Sequence, residues 1–318
     1  MTVRDATARG SEQERILVTG ALGAVGTHLV PELRSRGHDV WMLDRLHSHD
    51  DQYLRADVGE YRQLEAAVLR AQPRYVFHLA AEFGRWNGED FYETLWQSNV
   101  IGNKHLIRLQ EKLGFRVVFF SSSEVYGDWP EIMAEGVMDR EEIRQLNDYA
   151  ISKWVGELQH LNAKMMADLE TVRVRLFNVY GPGEPYSLYR SALCRFLYRA
   201  LQQQRFTVYR GHSRSWLYVS DAVVTLANIV DNFQDGEVYN IADGTEYSME
   251  EVAELVQDLT GIPDSLIEYQ DGEPFTTRTK HVDASKAERD LGHQPQTPLR
   301  VGIANTTEWL RQTYPALR

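Results

Sequence analysis

Arg15-Ile16-Leu17-Val18-Thr19-Gly20-Ala21-Leu22-Gly23-Ala24-Val25-Gly26 is the stretch whose reading decides the fold. Arg15 to Thr19 reads as a short buried strand, and a helical pattern runs from Thr27 to about Arg36. Strand, tight turn and helix in that order form the context in which a glycine-rich turn receives a dinucleotide. Gly20 permits the turn, Gly23 lets the backbone approach a pyrophosphate, and Gly26 lets helix and strand pack closely. Ala24 and Val25 lead into a helix N-terminus, which offers free N–H groups and the positive end of a dipole. The spacing is G-x-x-G-x-x-G rather than G-x-G-x-x-G.

Downstream, a second strand from Asp39 to Leu43 ends at Asp44, 24 residues after Gly20. A carboxylate there accepts hydrogen bonds from both adenosine ribose hydroxyls and repels a 2′-phosphate, which favours NAD over NADP. Arg45 argues the other way, since an arginine can accept that phosphate. Asp57-Val58, after a short third strand, stands where the adenine is expected.

Tyr149 and Lys153, in Asp148-Tyr149-Ala150-Ile151-Ser152-Lys153, stack on one helix face one turn apart. A phenol in that position can exchange a proton with a substrate hydroxyl. A lysine one turn away can lower the phenol's pKa through its charge. Alone, the pattern also describes a tyrosine packed on a lysine stem. The glycine turn upstream is what gives it weight.

Strand and helix patterns alternate as far as Leu176. Strands are expected at 15–19, 39–43, 75–79, 116–121 and 172–176, and long helices near 91–113 and 148–168. The alternation predicts an α/β fold: a Rossmann-type doubly wound parallel sheet over residues 14–180. A smaller mixed lobe for the substrate is expected over 181–318, interleaved with the first domain.

Composition bounds the function classes. The chain has 318 residues, 43% hydrophobic and 25% charged, in the ordinary range for a globular protein. Its net charge of −12, with no basic stretch, argues against a nucleic-acid partner. The single cysteine, Cys194, excludes an internal disulfide and fits a reducing compartment. It falls in a helical pattern that reads as core. The ten histidines show no metal-ligand spacing, so no metal site is expected. No apolar run approaches the ~20 residues that span a bilayer, and no signal peptide is seen, so a cytoplasmic location without a membrane partner is expected. Residues 1–13 are polar and are expected to be a disordered extension.

Six motifs in order carry a family resemblance from about Arg15 to Thr313. They are Thr19-Gly20-x-x-Gly23-x-x-Gly26, His78-Leu79-Ala80-Ala81, Asn99-Val100-x-Gly102-Asn103, Ser121-Ser122-Ser123-Glu124-Val125-Tyr126-Gly127, Tyr149-x-x-x-Lys153 and Arg175-Leu176-Phe177-Asn178-Val179-Tyr180-Gly181-Pro182-Gly183. The chain resembles the extended short-chain dehydrogenase/reductase family in its nucleotide-sugar epimerase/dehydratase branch. The resemblance implies transient oxidation of a sugar C4 by bound NAD, and a homodimer. It implies that Leu79-Ala80-Ala81 lies beside the nicotinamide ribose and that Asn99 serves the cofactor site. Ser122 is expected to hydrogen-bond the hydroxyl being oxidised, Tyr149 to take its proton, and Lys153 to hold the nicotinamide ribose. Asn178 is expected to bind the substrate diphosphate, with Arg214 and Arg278 matching the family's phosphate-binding arginines.

Ser122-Ser123-Glu124 bears on the chemistry after the oxidation. Simple 4-epimerases usually carry small neutral residues at the Glu124 position. Ser-Glu after a hydroxyl residue looks most like UDP-glucuronate decarboxylases and certain 4,6-dehydratases, with Ser123 on the substrate. A carboxylate near C5 can abstract a proton made acidic by a C4 ketone. In a decarboxylase it would instead orient the sugar. A 4-epimerase remains the alternative, and a catalytically silent dinucleotide-binding sensor a further one.

Two departures stand out. Between Gly127 and Tyr149 lie 21 residues, longer than the family's commonest spacing and able to reshape the sugar pocket. Glu82-Phe83-Gly84-Arg85-Trp86 replaces the usual small residues after the fourth strand. Arg85 is either a ligand for a substrate carboxylate or phosphate, or a surface arginine.

Overall fold

The computed structural model describes residues 12–315. The extension expected over 1–13 lies outside the described residues save for positions 12 and 13. The centre is a sheet of seven strands: β1 Arg15–Thr19, β2 Asp39–Asp44, β3 Tyr53–Arg55, β4 Tyr75–His78, β5 Arg116–Ser122, β6 Thr171–Leu176 and β7 Val238–Ile241. Their order across the sheet is β7-β6-β5-β4-β1-β2-β3, and every pairing is parallel. This is the doubly wound α/β arrangement expected from the alternation.

A parallel sheet covered on both faces needs strands that are apolar throughout. Ile16, Leu17 and Val18 are fully buried. Their side chains alternate between faces. Ile16 and Val18 join Leu29 and Leu33 of helix α1, Gly26–Ser35, in one core. Leu17 joins Leu64 and Val68 of α2, Tyr61–Ala71, and Leu106 of α3, Asn103–Leu113, in the other. Helix α4, Asp148–Ala167, packs beside β5 and brings Tyr149 and Lys153 to the carboxyl ends of the strands. Strand order reverses between β1 and β4, and the crevice at such a switch point is where open α/β sheets bind ligands.

The single helix expected near 91–113 is broken in the structure. Tyr92–Trp96 is α-helical, Gln97–Gly102 is a π-helical turn, and α3 comes next. Side-chain periodicity runs through all three, so the pattern conceals the wider turn. Gly102 lies so close to β3's loop that an added Cβ would stand 2.9 Å from Val58 Cγ2. In the same turn Asn99 accepts from the Glu82 N–H (2.8 Å) and donates to the Glu82 carbonyl (3.0 Å) and to Ser152 Oγ (3.0 Å). π-turns of this kind recur beside functional sites.

Beyond residue 180 the chain divides its loyalty. Helix α5, Ala192–Leu201, helix α7, Met249–Thr260, and helix α8, Leu299–Thr313, share a second core with the ribbon Phe206–Arg210 and Ile267–Asp271. Between them α6, Val219–Asn228, returns to pack on α1, and β7 pairs with β6 from Val238↔Arg173 to Ile241↔Leu176. Among the described residues no helix is long and apolar enough to cross a membrane.

Candidate active site

A cleft of about 480 Å³ runs along the carboxyl ends of the strands and down between sheet and second core. Its first half is built from backbone. Gly20 sits at φ +69°, and a Cβ there would lie 2.7 Å from the Ala80 nitrogen. A Cβ on Gly26 would lie 2.5 Å from the Gly20 oxygen. Only glycine fits either position, so turn, strand and helix close against one another. No side chain caps α1, and Gly23, Ala24 and Val25 at its start line the cleft. Those groups form a cradle for a pyrophosphate.

At the end of β2, Asp44 is fixed by two backbone donors, Leu22 N–H at 3.0 Å and Leu46 N–H at 3.1 Å. Its carboxylate lines the cleft where a ribose would stand, with Asp57 and Val58 beyond. Arg45 is engaged elsewhere: its guanidinium is 2.8 Å from Glu82 and 3.9 Å from Asp57. Those two acids occupy the charge that a 2′-phosphate would need. On the other side Thr19 Oγ1 accepts from Ala80 N–H and is hydrogen-bonded to His78 Nδ1 at 2.8 Å, which pins Leu79-Ala80-Ala81 along the cleft. Burial, helped by Lys153, pushes His78 down to about 3, so this imidazole is neutral and structural. The residues present therefore fit an NAD molecule. Asn99 is not among the lining residues; it holds the Glu82 backbone from behind.

Ser122, Tyr149 and Lys153 meet at the middle of the cleft. The N-cap of α4 is Asn147, whose Oδ1 accepts from Ala150 N–H at 2.8 Å and so fixes the first turn that carries Tyr149. Lys153 donates to the Phe120 carbonyl at 2.8 Å, and its Nζ is 6.0 Å from the centre of the Tyr149 ring. Burial lowers Lys153 to about 8. Burial also pushes the Tyr149 phenol up to about 12; Ser122 works against that rise and Glu124 adds to it. The expected lowering of the phenol by Lys153 is thus not present here. Desolvation outweighs a lysine whose ammonium faces a carbonyl instead.

Behind the cleft wall, against Ser123 and Glu124, sits a group that the motifs did not contain. Lys280, 2% exposed, donates to Glu124 Oε1 at 2.5 Å and to Ser123 Oγ at 3.3 Å. Asn147 Nδ2 donates to the other Glu124 oxygen at 3.3 Å. Burial disfavours the Glu124 carboxylate, but Lys280, Arg85 and Arg214 overcome that and hold it at about 2. Burial lowers Lys280 to about 8, with Glu124 opposing. No local pattern marks Lys280; only its nearness to Arg278 in sequence points toward that segment.

Arg85 faces the cleft and pairs with Glu273 at 2.9 Å, while Trp86 meets the Phe275 ring edge-on with centroids 5.1 Å apart. The two segments together wall that end of the cleft. Asn178 lines the cleft and donates to the Ser215 carbonyl at 2.9 Å. Arg214 is buried, with its donors on the Ser213, Thr277 and Arg278 carbonyls and Thr276 Oγ1. Arg278 is different: its side chain is exposed and is not part of the cleft lining. Nor do residues 128–148 line it. That long segment folds back at Gly127, where a Cβ would lie 2.0 Å from the Arg144 oxygen, and seats Met133 against Tyr126 and Phe177. It reaches the site through Asn147, which donates to Glu124, and Gln145, which donates to the neighbouring Val125 carbonyl.

The profile of the NAD dependent epimerase/dehydratase family matches residues 16–242. Among curated relatives, the UDP-N-acetyl-alpha-D-glucosaminuronate decarboxylase of Bacillus cytotoxicus is 29% identical over 94% of this chain and 98% of its own length. Among solved structures, an epimerase of Methanothermobacter thermautotrophicus has a TM-score of 0.88 at 28% identity, covering 96% of this chain and 95% of that one. MoeE5, solved in complex with UDP-glucuronic acid and NAD, has a TM-score of 0.81 at 29% identity, covering 94% and 99%.

Proposed function

The chain belongs to the NAD dependent epimerase/dehydratase family, and from that premise we propose that it oxidises C4 of a hexuronic acid carried on a nucleoside diphosphate and then releases C6 as carbon dioxide. Gly20 to Gly26, Asp44, Asp57-Val58, Leu79 to Ala81 and Lys153 would hold NAD. When bound, NAD supplies the hydride acceptor for C4. Ser122 would orient the C4 hydroxyl, and its hydrogen bond to Tyr149, which opposes the rise caused by burial, would help the phenol take the proton.

The Lys280–Glu124 pair carries the choice of second step. A ketone at C4 makes the C6 carboxylate a β-keto acid. The C5–C6 bond breaks, carbon dioxide leaves, and its electrons pass into the C4–C5 enolate. That step needs no base. It needs a cation beside the enolate and a proton delivered to C5. The Lys280 ammonium, lowered to about 8 and one hydrogen bond behind the cleft-lining Ser123, would supply the charge from there and the proton through the Ser123 hydroxyl near neutral pH. A carboxylate held at about 2 is a weak proton acceptor, so Glu124 is better suited to holding Lys280 than to taking a C5 proton. This weighs against 4,6-dehydration. The Bacillus cytotoxicus decarboxylase and the UDP-glucuronic acid bound to MoeE5 support the same reading.

Incubation with UDP-, GDP-, CDP- and dTDP-linked hexoses and hexuronic acids, read by mass spectrometry, tests it. Loss of 44 mass units is the expected result, in agreement with carbon dioxide release. Loss of 18 would move the assignment to a dehydratase, and altered NMR at unchanged mass to a 4-epimerase. A homodimer through α3 and α4 is part of the proposal. Ile101 in the π-turn, Leu113 at the end of α3, and Leu158, Leu161, Met165 and Met166 on α4 are exposed apolar side chains that such a contact would cover. Light scattering on the purified protein measures it. A cytoplasmic location fits the single buried thiol, Cys194.

A further inference from the structure

We infer that Arg195, rather than Arg278, joins Arg214 in holding the substrate's diphosphate; this deepens the nucleoside-diphosphate reading above and rests on it. Two cations of the cleft already have carboxylate partners, Arg45 with Glu82 and Arg85 with Glu273, and Lys280 behind the wall has Glu124. Arg214 has none among the described residues; its donors all meet neutral oxygens. Arg195 is barer still. It lies in the first turn of α5 and lines the cleft, and its Nε is buried without a hydrogen-bond partner.

Arg214 is buried and Arg195 half-buried, and a guanidinium partly withdrawn from water without an anion is a costly arrangement. Burial lowers both Arg195 and Arg214 from the ordinary arginine value. Both line the same cleft, as do Arg85 and Glu273, whose charges act on each of them. Two positive charges, neither of them in an ion pair among the described residues as Arg85 is with Glu273, together match the two negative charges of a sugar-linked diphosphate. A planar guanidinium meets phosphate oxygens in a forked, two-bond geometry. Arg278 lacks these marks. It is exposed, and its carbonyl is held by Arg214 and by the Ser213 N–H, which fixes its backbone with the side chain outside.

The two arginines can be separated by calorimetric titration of NAD-loaded enzyme. UDP, GDP, CDP and dTDP are compared with their nucleosides, and the tightest diphosphate is carried forward. Arg195→Gln should weaken that diphosphate by roughly tenfold to a hundredfold, as for a lost charge-assisted hydrogen bond. The nucleoside and NAD should bind as before, and the melting temperature should be nearly unchanged. Arg195→Lys, which keeps the charge and loses the fork, should fall between. Arg278→Gln should stay within about twofold of the parent. Parental binding by Arg195→Gln, or a larger loss in Arg278→Gln, overturns the inference and leaves the functional reading standing. If no nucleoside diphosphate binds the parent protein, both fall together.

Discussion

The two ends of the cleft are held together by different physics. Around Gly20 and Gly26 backbone meets backbone, and one added carbon would stand 2.5 to 2.7 Å from main-chain atoms that cannot move aside. Around Glu124 the parts are long side chains: Lys280, Asn147, Arg85 and Arg214 reach in from distant segments and balance charge against burial. The first end is steric. The second is electrostatic, so it should answer to pH and tolerate change by degrees. A family whose members share one oxidation and differ in the second step is served by that division. The dinucleotide half stays rigid while the sugar half is retuned one charge at a time.

The strongest way to break this contrast is to add a methyl group to the rigid end. Gly20→Ala forces a Cβ into the Ala80 backbone at a positive φ, where side chains are strained. NAD binding should fall by more than about a hundredfold, and the melting temperature should drop as overpacking strains the turn. Fluorescence titration and thermal denaturation read the two effects. Parental affinity with parental stability would mean the turn is pliable and the steric account wrong.

At the junction of the two ends, Tyr149→Phe should lower kcat by at least about a hundredfold while leaving NAD bound. Steady-state kinetics on the true substrate decide it. Turnover near that of the parent enzyme would remove Tyr149 from the proton transfer.

The electrostatic end should respond by a smaller factor and with a pH signature. On the proposed mechanism Lys280 works as an ammonium, so kcat should be full below its value of about 8 and decline as pH rises through it. Glu124 raises that value against burial. Glu124→Gln removes the support, so the decline should move to lower pH, with a loss of about tenfold near neutral and little change at acid pH. Lys280→Met should allow the first oxidation but slow the protonation, and enzyme-bound NADH should accumulate near 340 nm. If Glu124→Gln abolishes activity at every pH, Glu124 is itself the proton acceptor and dehydration becomes the better reading. Deuterium entering C5 from solvent is expected for decarboxylation and dehydration, and not for simple epimerisation.

The same contrast explains which features are legible in the sequence. β1 is legible at Arg15–Thr19, where the structure has it, because a buried parallel strand and its glycine turn are local patterns. The carboxyl-end residues Asp44, Leu79 to Ala81, Ser122 and Tyr149 emerge from strand ends and helix periodicity, and they do converge. Lys280 cannot be found that way. Its partner Glu124 lies 156 residues earlier, and nothing in Arg278-Thr279-Lys280 says which side chain turns inward. The choice between Arg195 and Arg278 has the same origin. β7 is hidden because four residues after a long helical stretch make a weak signal, and its pairing with β6 crosses the expected domain boundary. The π-turn at Gln97–Gly102 leaves the apolar periodicity intact and so reads as part of one long helix.

The smallest expected effect sharpens the contrast most. Arg45 is the long cation next to Asp44 in the backbone-built half, and it could have turned that half toward a 2′-phosphate. It is more than half exposed, and its partners Glu82 and Asp57 are carboxylates at 2.8 and 3.9 Å. Ion pairs so open to water contribute about 0 to 1 kcal/mol. Arg45→Gln should therefore change NAD affinity by less than about fivefold, and NADP should bind no more tightly than to the parent. Asp44→Asn is the counterpart. That carboxylate is fixed by Leu22 and Leu46 N–H groups at the ribose position, and its loss should narrow the preference for NAD over NADP by about tenfold or more. Calorimetry of both variants against both dinucleotides gives the ordering. If Arg45→Gln proves the larger change, a surface charge governs the cofactor end, and the division between a steric half and an electrostatic half does not hold.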